Sequence, residues 1–539
     1  MHEYIPELKE QYRQGEITRR EFMRAATLLG MSAAAAGAFV GAGPLGTRAA
    51  YAQKRGGVLR VGTRVQKMKD PATFDWVPMS NVGRLIAEYL TLTDHENITH
   101  PYLVERWEAS NDLKTWTLHL RKGVQFQMGP TKRREFDAAD VVWNMKRWLA
   151  KETGSSIRGL LSYLQPDGIE EVNRYTVKLH LTTRQMAVPE HLFHYPAVVL
   201  PREWGGDFLK EPWGTGAFVL DKYVVSEQAS LKRRADYWQA GRPYLDEVRF
   251  LDLGEQAAAH AAALASKQVD LVTSDVLDVS TIDVIERIPH AQLLEVKTAQ
   301  TAVIRMRADK KPYDDVRVRN AIKLCQDHAK LLEVAHRGRG AEGAEHHVAP
   351  VHPGYSPEAA PKQDIAKAKA LLTAAGYPNG VDLELDLKPS PAWEQLCMQA
   401  FKEMAAQAGI RIKLNVMPSA RYWEIWDKTT FGFTAWTHRP LDTMVLSLAY
   451  RCRDGKPVPW NETQWCDPTF EKMIDEAEAV LDHKERRKLM AKIQVYQREN
   501  GTIGVPLWRS VFEGADKRLK GYKAHPTSYL LINDAYVES

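Results

Sequence analysis

Apolar and polar residues alternate in two separate stretches of this chain. Trp116, Leu118 and Leu120 alternate with Thr117 and His119, and Val177, Leu179 and Leu181 repeat the pattern. This period of two puts one face of a strand on a core. Between these strands, Asp137 is placed to cap a helix whose Val141, Val142, Met145, Trp148 and Leu149 share one face. The layout returns later, with Val381, Leu383, Leu385 and Leu387 in one strand and Ile410, Ile412, Leu414 and Val416 in another. The helix between these two carries Leu396, Ala400 and Met404. A further helix from about Ile365 is stopped by Gly376 and Pro378, and a charged helical pair runs from about Thr469 to Asn500. Strands and helices alternate throughout, so the class is α/β or α+β, with a strand-rich lobe first and a strand-and-helix lobe after it.

The N-terminus departs from this pattern. Thr18-Arg19-Arg20-Glu21-Phe22-Met23-Arg24 precedes an apolar, alanine-rich run from Ala25 to Val40. A basic head, a weakly hydrophobic middle and the small-residue exit Ala50-Tyr51-Ala52 read as a twin-arginine export signal, with the mature chain beginning near Gln53. Membrane anchor and buried helix are the competing readings. Glycines at 30, 37, 41 and 43 argue against both, because they lower helicity and hydrophobicity. No cysteine follows the run, so no lipid anchor is expected. No other stretch approaches about 18 uninterrupted apolar residues, so the mature protein is expected to be soluble.

Composition narrows the function. The 539 residues are 44% hydrophobic and 26% charged, and a single core rarely grows past about 250–300 residues. At least two lobes follow, with room for a cleft between them. The net charge of +5 comes from mixed signs with no long basic block, which excludes nucleic acid as an expected partner. Cysteines occur only at 325, 397, 452 and 466, without C-x-x-C spacing, so no zinc site is expected. Cys452 and Cys466 could close a polar loop containing Arg453-Asp454-Gly455-Lys456-Pro457, whereas Cys325 and Cys397 fall on apolar helical faces as reduced core residues. His95 and His100 stand five apart where one helix face needs four. No nucleophile elbow, phosphate loop or dinucleotide fingerprint occurs, so no enzyme and no cofactor are expected.

Four ordered blocks resemble one family over nearly the whole mature chain: solute-binding protein family 5, the peptide, nickel and opine class. The first is Leu103-Val104-Glu105-Arg106-Trp107 with Asn111 to Phe126 and the helix containing Ala139-Asp140-Val141-Val142-Trp143. The others are Gly214-Thr215-Gly216-Ala217-Phe218, Tyr313 to Ile322, and Ala375-Gly376-Tyr377-Pro378-Asn379-Gly380. The resemblance implies a two-lobed periplasmic binding protein fold of the Venus-flytrap kind, with an extra subdomain in the first lobe. It also implies a monomer that captures a small molecule or peptide by hinge closure and hands it to an ABC permease and its ATPase. Mapped onto this chain, it puts the leader at 1–52, the first lobe at 53–93 and 213–300, and the extra subdomain at 94–212. The second lobe falls at 301–504 and the first-lobe return at 505–539, with crossings near Thr298 to Val303 and Thr502 to Pro506. The dipeptide-binding branch is similar around Cys452 and Cys466, which implies a disulfide there. A periplasmic sensor for a membrane receptor would need the same closing lobes.

The ligand site departs from the family pattern. In peptide-binding relatives an aspartate shortly after a tryptophan holds the ligand's ammonium group. Here the stretch reads Trp436-Thr437-His438-Arg439-Pro440-Leu441-Asp442, with Arg439 in the aspartate's place. A guanidinium repels an ammonium group but takes a carboxylate or phosphate through paired hydrogen bonds. An acidic or amine-masked ligand is therefore expected. The competing readings pair Arg439 with Asp442, point it to solvent, or make Asp442 itself the ammonium partner. Tyr422, Trp423, Trp426 and Trp460 are candidate aromatic walls, and Arg451 is a further candidate contact. Glu345-His346-His347-Val348-Ala349-Pro350-Val351-His352 carries three histidines that could coordinate a metal or its chelate, but it reads better as a solvated loop without metal.

Overall fold

The structure is a computed structural model that describes residues 2–41, 55–357, 362–453 and 455–538. One path of hydrogen-bonded strands runs through it. Phe218–Val224, Gln228–Arg233, Glu247–Asp252, Val58–Thr63 and Leu271–Val272 form one side, and Phe431–Trp436, Val381–Leu387 and Ile410–Val416 the other. The long strands Leu507–Asp516 and Ala291–Met306 join them. Ala291–Met306 pairs with Leu507–Asp516 as far as Gln300 opposite Arg509, after a register shift between Lys297 and Gln300. From Thr301 onward it pairs with Phe431–Trp436 instead. Ile503–Gly504 pairs on the far side of the same shift, with Ile304 and Arg305. The chain thus passes between the two halves in adjacent antiparallel segments, tied by Thr298 Oγ1 to the Arg509 carbonyl at 2.8 Å and Thr301 Oγ1 to that of Leu507 at 2.6 Å. A few residues at a strand irregularity can absorb the dihedral changes of a hinge.

Beside the first half lies a four-stranded antiparallel sheet of Val104–Ala109, Thr115–Leu120, Thr176–Leu181 and Leu164–Asn173. Trp116, Leu118, Leu120, Val177, Leu179 and Leu181 all point into its core. The helix Ala138–Leu149 packs there and opens on a capping box of Asp137 and Asp140. In the second half, Val381–Leu387 and Ile410–Val416 run parallel in register, joined by the helix Ala392–Ala406. That helix is turned from the predicted face: Leu396 is 44% exposed, while Cys397, Met398, Phe401, Met404 and Ala405 fill the core. Period alone left two adjacent stripes to choose from, and the sheet selected the one centred on Phe401. Ile410–Val416 is an edge strand, so its alternation fades at Leu414 and ends on the exposed Val416.

The N-terminal segment packs on the body as three helices, Ile5–Arg13, Arg19–Leu28 and Ala33–Phe39. Thr18 and Glu21 form a capping box for the second, and Phe22, Ala26, Leu28 and Ala36 are completely buried. The buried-helix reading, set aside on sequence grounds, describes how these residues pack. Gly30 makes the turn between helices with φ +87°, where a side chain would meet the Trp107 carbonyl at 2.8 Å. Gly30 and Gly41 therefore follow the ends of short helices, while Gly37 lies within the helix Ala33–Phe39. Gly43, Ala50-Tyr51-Ala52, Gln53 and Asp454 lie outside the described residues. Among the described residues, no helix is long and apolar enough to cross a membrane.

Candidate functional site

Where the two halves face each other, a cavity of about 60 Å³ is walled by six aromatic residues together with Asp75, Ala435, Thr437 and Arg439. Trp76, the residue before the helix Val77–Ile86, and Tyr195 come from the first half. Trp423 and Trp426, around the end of the helix Ser419–Ile425, come from the second, as does Trp436 at the end of Phe431–Trp436. Trp460 completes the wall, with ring centroids 5.8 Å from both Tyr195 and Trp436 and 6.4 Å from Trp426. Trp460 sits in the loop closed by the Cys452–Cys466 disulfide, whose Cα atoms are 5.6 Å apart. The same loop supplies Glu462, which accepts a hydrogen bond from Trp436 Nε1 at 2.8 Å and lies 2.7 Å from Arg305. The bridge thus fixes one wall of the cavity as well as closing a loop.

Arg439 lies at the centre. Its guanidinium carbon sits 5.2 Å from the Tyr195 ring centroid and 5.7 Å from that of Trp460, and the residue is only 2% exposed. Its hydrogen bonds go to neutral acceptors: the His438 carbonyl at 3.0 Å, the Thr437 carbonyl at 3.4 Å and hydroxyl, and Tyr195 OH at 3.4 Å. Among the described residues it makes no ion pair, and its Nε is buried with no acceptor. The buried Trp423 Nε1 on the wall is likewise without one. A desolvated cation and two unused donors make a receptor for an anionic, acceptor-rich group. The carboxylate-bearing Asp75 also lines the cavity.

The other predicted contacts divide. Trp423, Trp426, Trp436 and Trp460 reach the cavity. Tyr422 does not: it is fully buried, its hydroxyl bonded to the Phe433 carbonyl and Thr434, because it occupies the inward face of its helix. Asp442 does not pair with Arg439; it accepts backbone hydrogen bonds from Gly354 and Thr443 at 2.7 Å each. His438 supports the loop, accepting from the Ala299 backbone at 2.9 Å and lying 3.2 Å from Asn97 Oδ1, so it bridges the strand crossing and the first half. Arg451 is held by Asp475 at 2.6 Å and Glu478 at 3.0 Å, away from the cavity.

The histidine segment is corrected as well. His346, His347 and His352 are buried, not solvated. His352 Nε2 lies 2.9 Å from the Arg439 carbonyl, and His347 Nδ1 lies 2.9 Å from Tyr450 OH. Burial holds His346 down to about 3 and His352 to about 4, so both are neutral at physiological pH. Among the described residues no cluster of three metal-ligating side chains occurs. Cys325 and Cys397 are free and buried. The sequence reading missed Asp75, Trp76 and Tyr195. They stand in loops more than a hundred residues apart, and no local pattern marks them.

The chain matches bacterial extracellular solute-binding proteins, family 5, over residues 99–454. It is 27% identical over 497 residues to the dipeptide-binding protein of Escherichia coli K12, covering 86% of this chain and 90% of that one. With heme-binding protein A of Haemophilus influenzae it shares 26% over 459 residues, covering 80% and 82%. It superposes on the binding protein AgaA of A. tumefacien R10, solved with agropinic acid, with a TM-score of 0.81, covering 90% of this chain and 99% of that one at 24% identity. The two strand systems are therefore the two lobes of a periplasmic binding protein fold, and proteins of this kind bind solutes without transforming them. With two thirds of its length inside the family match and its two lobes meeting at an aromatic cleft, the chain belongs to the bacterial extracellular solute-binding proteins of family 5.

Proposed function

We propose that this protein captures a small organic acid, peptide-like or opine-like with its amine masked, and presents it to an ABC permease and its ATPase. The observation that carries this reading is Arg439, a buried guanidinium without a carboxylate partner among the described residues, set between Tyr195 and Trp460. A ligand carboxylate there would supply the missing counter-charge and bridge both lobes through Tyr195 and Arg439. It would thus favour the closed state in proportion to its preference for it. The cavity's small volume fits closed lobes without ligand; opening at the Lys297–Gln300 irregularity would admit one. The relatives' dipeptide and heme and the neighbour's agropinic acid all carry carboxylates, so they share the chemistry Arg439 asks for.

In the same reading, residues 1–52 direct export by the twin-arginine route and the protein works as a periplasmic monomer. Residues 53–93, 213–300 and 505–539 make the first lobe, with 94–212 its extra subdomain, and 301–504 make the second. Trp436, Trp423, Trp426, Trp460 and Arg439 contact ligand, while His438 and Asp442 hold the loop.

The test is calorimetric titration of the mature chain with dipeptides, N-substituted amino acids of the opine type and simple dicarboxylates. Binding of the amine-masked acids, lost in Arg439→Gln, supports the reading. Binding of free-amine dipeptides that survives Arg439→Gln overturns the charge-inverted site.

A further inference from the structure

We propose that residues 2–41 act as an intramolecular clasp that holds the two lobes closed in the uncut chain, with Arg24 as its pin. The segment is bonded to both sides of the cleft. On the first-lobe side, Leu28 carbonyl accepts from Trp107 Nε1 at 3.0 Å, Glu3 accepts from Asn111 Nδ2 at 2.7 Å, and Arg20 Nε donates to the Glu96 carbonyl at 3.0 Å. On the second-lobe side, Tyr4 and Gln11 donate to Asp482 at 3.3 and 2.7 Å, while Glu16 and Glu21 pair with Lys484 and Arg487. Arg24 does both at once: its Nη2 lies 2.6 Å from Glu190 Oε1 in the first lobe and donates to the Pro440 carbonyl in the second.

The pin matters because of where it sits. Arg24 and Glu190 are both buried, and the other Glu190 oxygen has no hydrogen-bond partner. Withdrawing Arg24 would leave a buried carboxylate without its counter-ion, which is why the contact resists opening. Pro440 is the residue next to Arg439, so the clasp also fixes the loop that carries the cleft's cation. Phe22, Ala26, Leu28 and Ala36 are fully removed from water; Phe22 packs on Tyr12 and Phe39 of the segment itself, and the helix Arg19–Leu28 packs on Thr99–Pro101 and Val188–His191, a burial that outweighs the exposed ion pair at Glu16. A segment that bonds the closed arrangement on both lobes stabilises it without ligand, and ligand entry then requires the clasp to let go.

The experiment uses the full chain and no ligand, so it is independent of the small-acid reading. Spin labels at Lys210→Cys and Lys472→Cys report the distance between the extra subdomain and the second lobe; both side chains are exposed. One narrow, short distance is expected in the parent. A longer, broader distribution is expected in the Phe22→Asp/Arg24→Ala variant, whose changes lie outside the body. A milder variant guards against misfolding: Arg24→Gln alone keeps most of the side chain's length but not the charge that answers Glu190, and should broaden the distribution less than the double change. A specific protease site after Gly41 gives a second readout, since the cut segment should co-elute with the parent body and separate from the Phe22→Asp/Arg24→Ala body. Identical distance distributions in parent and variants, or a cut segment that leaves the parent body at once, would overturn the clasp.

Discussion

Two buried arginines twelve residues apart in the same lobe have opposite surroundings. Arg451 is met by two carboxylates, Asp475 at 2.6 Å and Glu478 at 3.0 Å. Arg439 meets hydroxyls, carbonyls and aromatic faces, with one N–H left over. A desolvated cation is costly unless paired, so a site that leaves one unpaired reserves it for something that arrives later. Arg451 braces the lobe's own helices; Arg439 faces the opposite lobe. Burial and residue type are the same in both; only the partner differs, and on the proposed reading that difference separates a structural cation from a binding one.

The largest expected effect is that of acid, which should act on both arginines' surroundings, through His191 beside Arg451 and through a group of four histidines beside Arg439. His194, His347, His352 and His438 crowd that site, and burial lowers each of them; neighbouring cations and histidines add to the effect at His194, His347 and His438, while Asp442 opposes it at His352. Between the unfolded value near 6.5 and about 4 for His352, the unfolded chain takes up protons that the fold refuses. Stability contributed by these neutral rings is full above pH 6.5 and is lost as pH falls through that window. Thermal unfolding from pH 7.5 to 4 should show this fall, and His352→Gln should flatten it. A flat profile in the parent would remove the histidines from the account.

Next in size, Arg451→Met strands Glu478 in the interior and should cost about 3–5 kcal/mol of stability, read by denaturant unfolding. Arg439→Gln strands no carboxylate and should change stability by about 1 kcal/mol at most. If the two variants lose stability equally, the comparison fails. Opening the Cys452–Cys466 loop by Cys452→Ser/Cys466→Ser should cost about 3 kcal/mol. It should also weaken ligand binding through Trp460, a loss absent if the bridge is only a staple. The smallest change in stability belongs to a variant read through the ligand. Arg439→Lys keeps the charge but not the paired geometry and should weaken acid binding about tenfold, with little change in Tm.

Much of the fold was legible from alternation and capping residues. The strands around Trp116, Val177 and Leu383 and the helix opened by Asp137 depend on contacts within one element and its core face, and those contacts leave a period in the chain. The register of the helix Ala392–Ala406 was not legible, because two neighbouring stripes were both apolar and only the sheet beneath could choose. The candidate site was half legible. Arg439 stood out because the resemblance led one to expect an aspartate there, while Tyr422 and Arg451 looked like wall and contact but are turned inward to Thr434 and Glu478.

By itself, the sequence determined the class, the family, the aromatic supply and the presence of a cation at position 439, since these are properties of residue type and order. Only the tertiary structure decided that Tyr195 and Trp76 meet Arg439 across the lobes and that the histidine segment is buried. Only it showed that Arg24 reaches Glu190 and Pro440 at once. Each of these joins residues far apart in the chain, and such contacts are selected by the packing of whole elements, which no local period records.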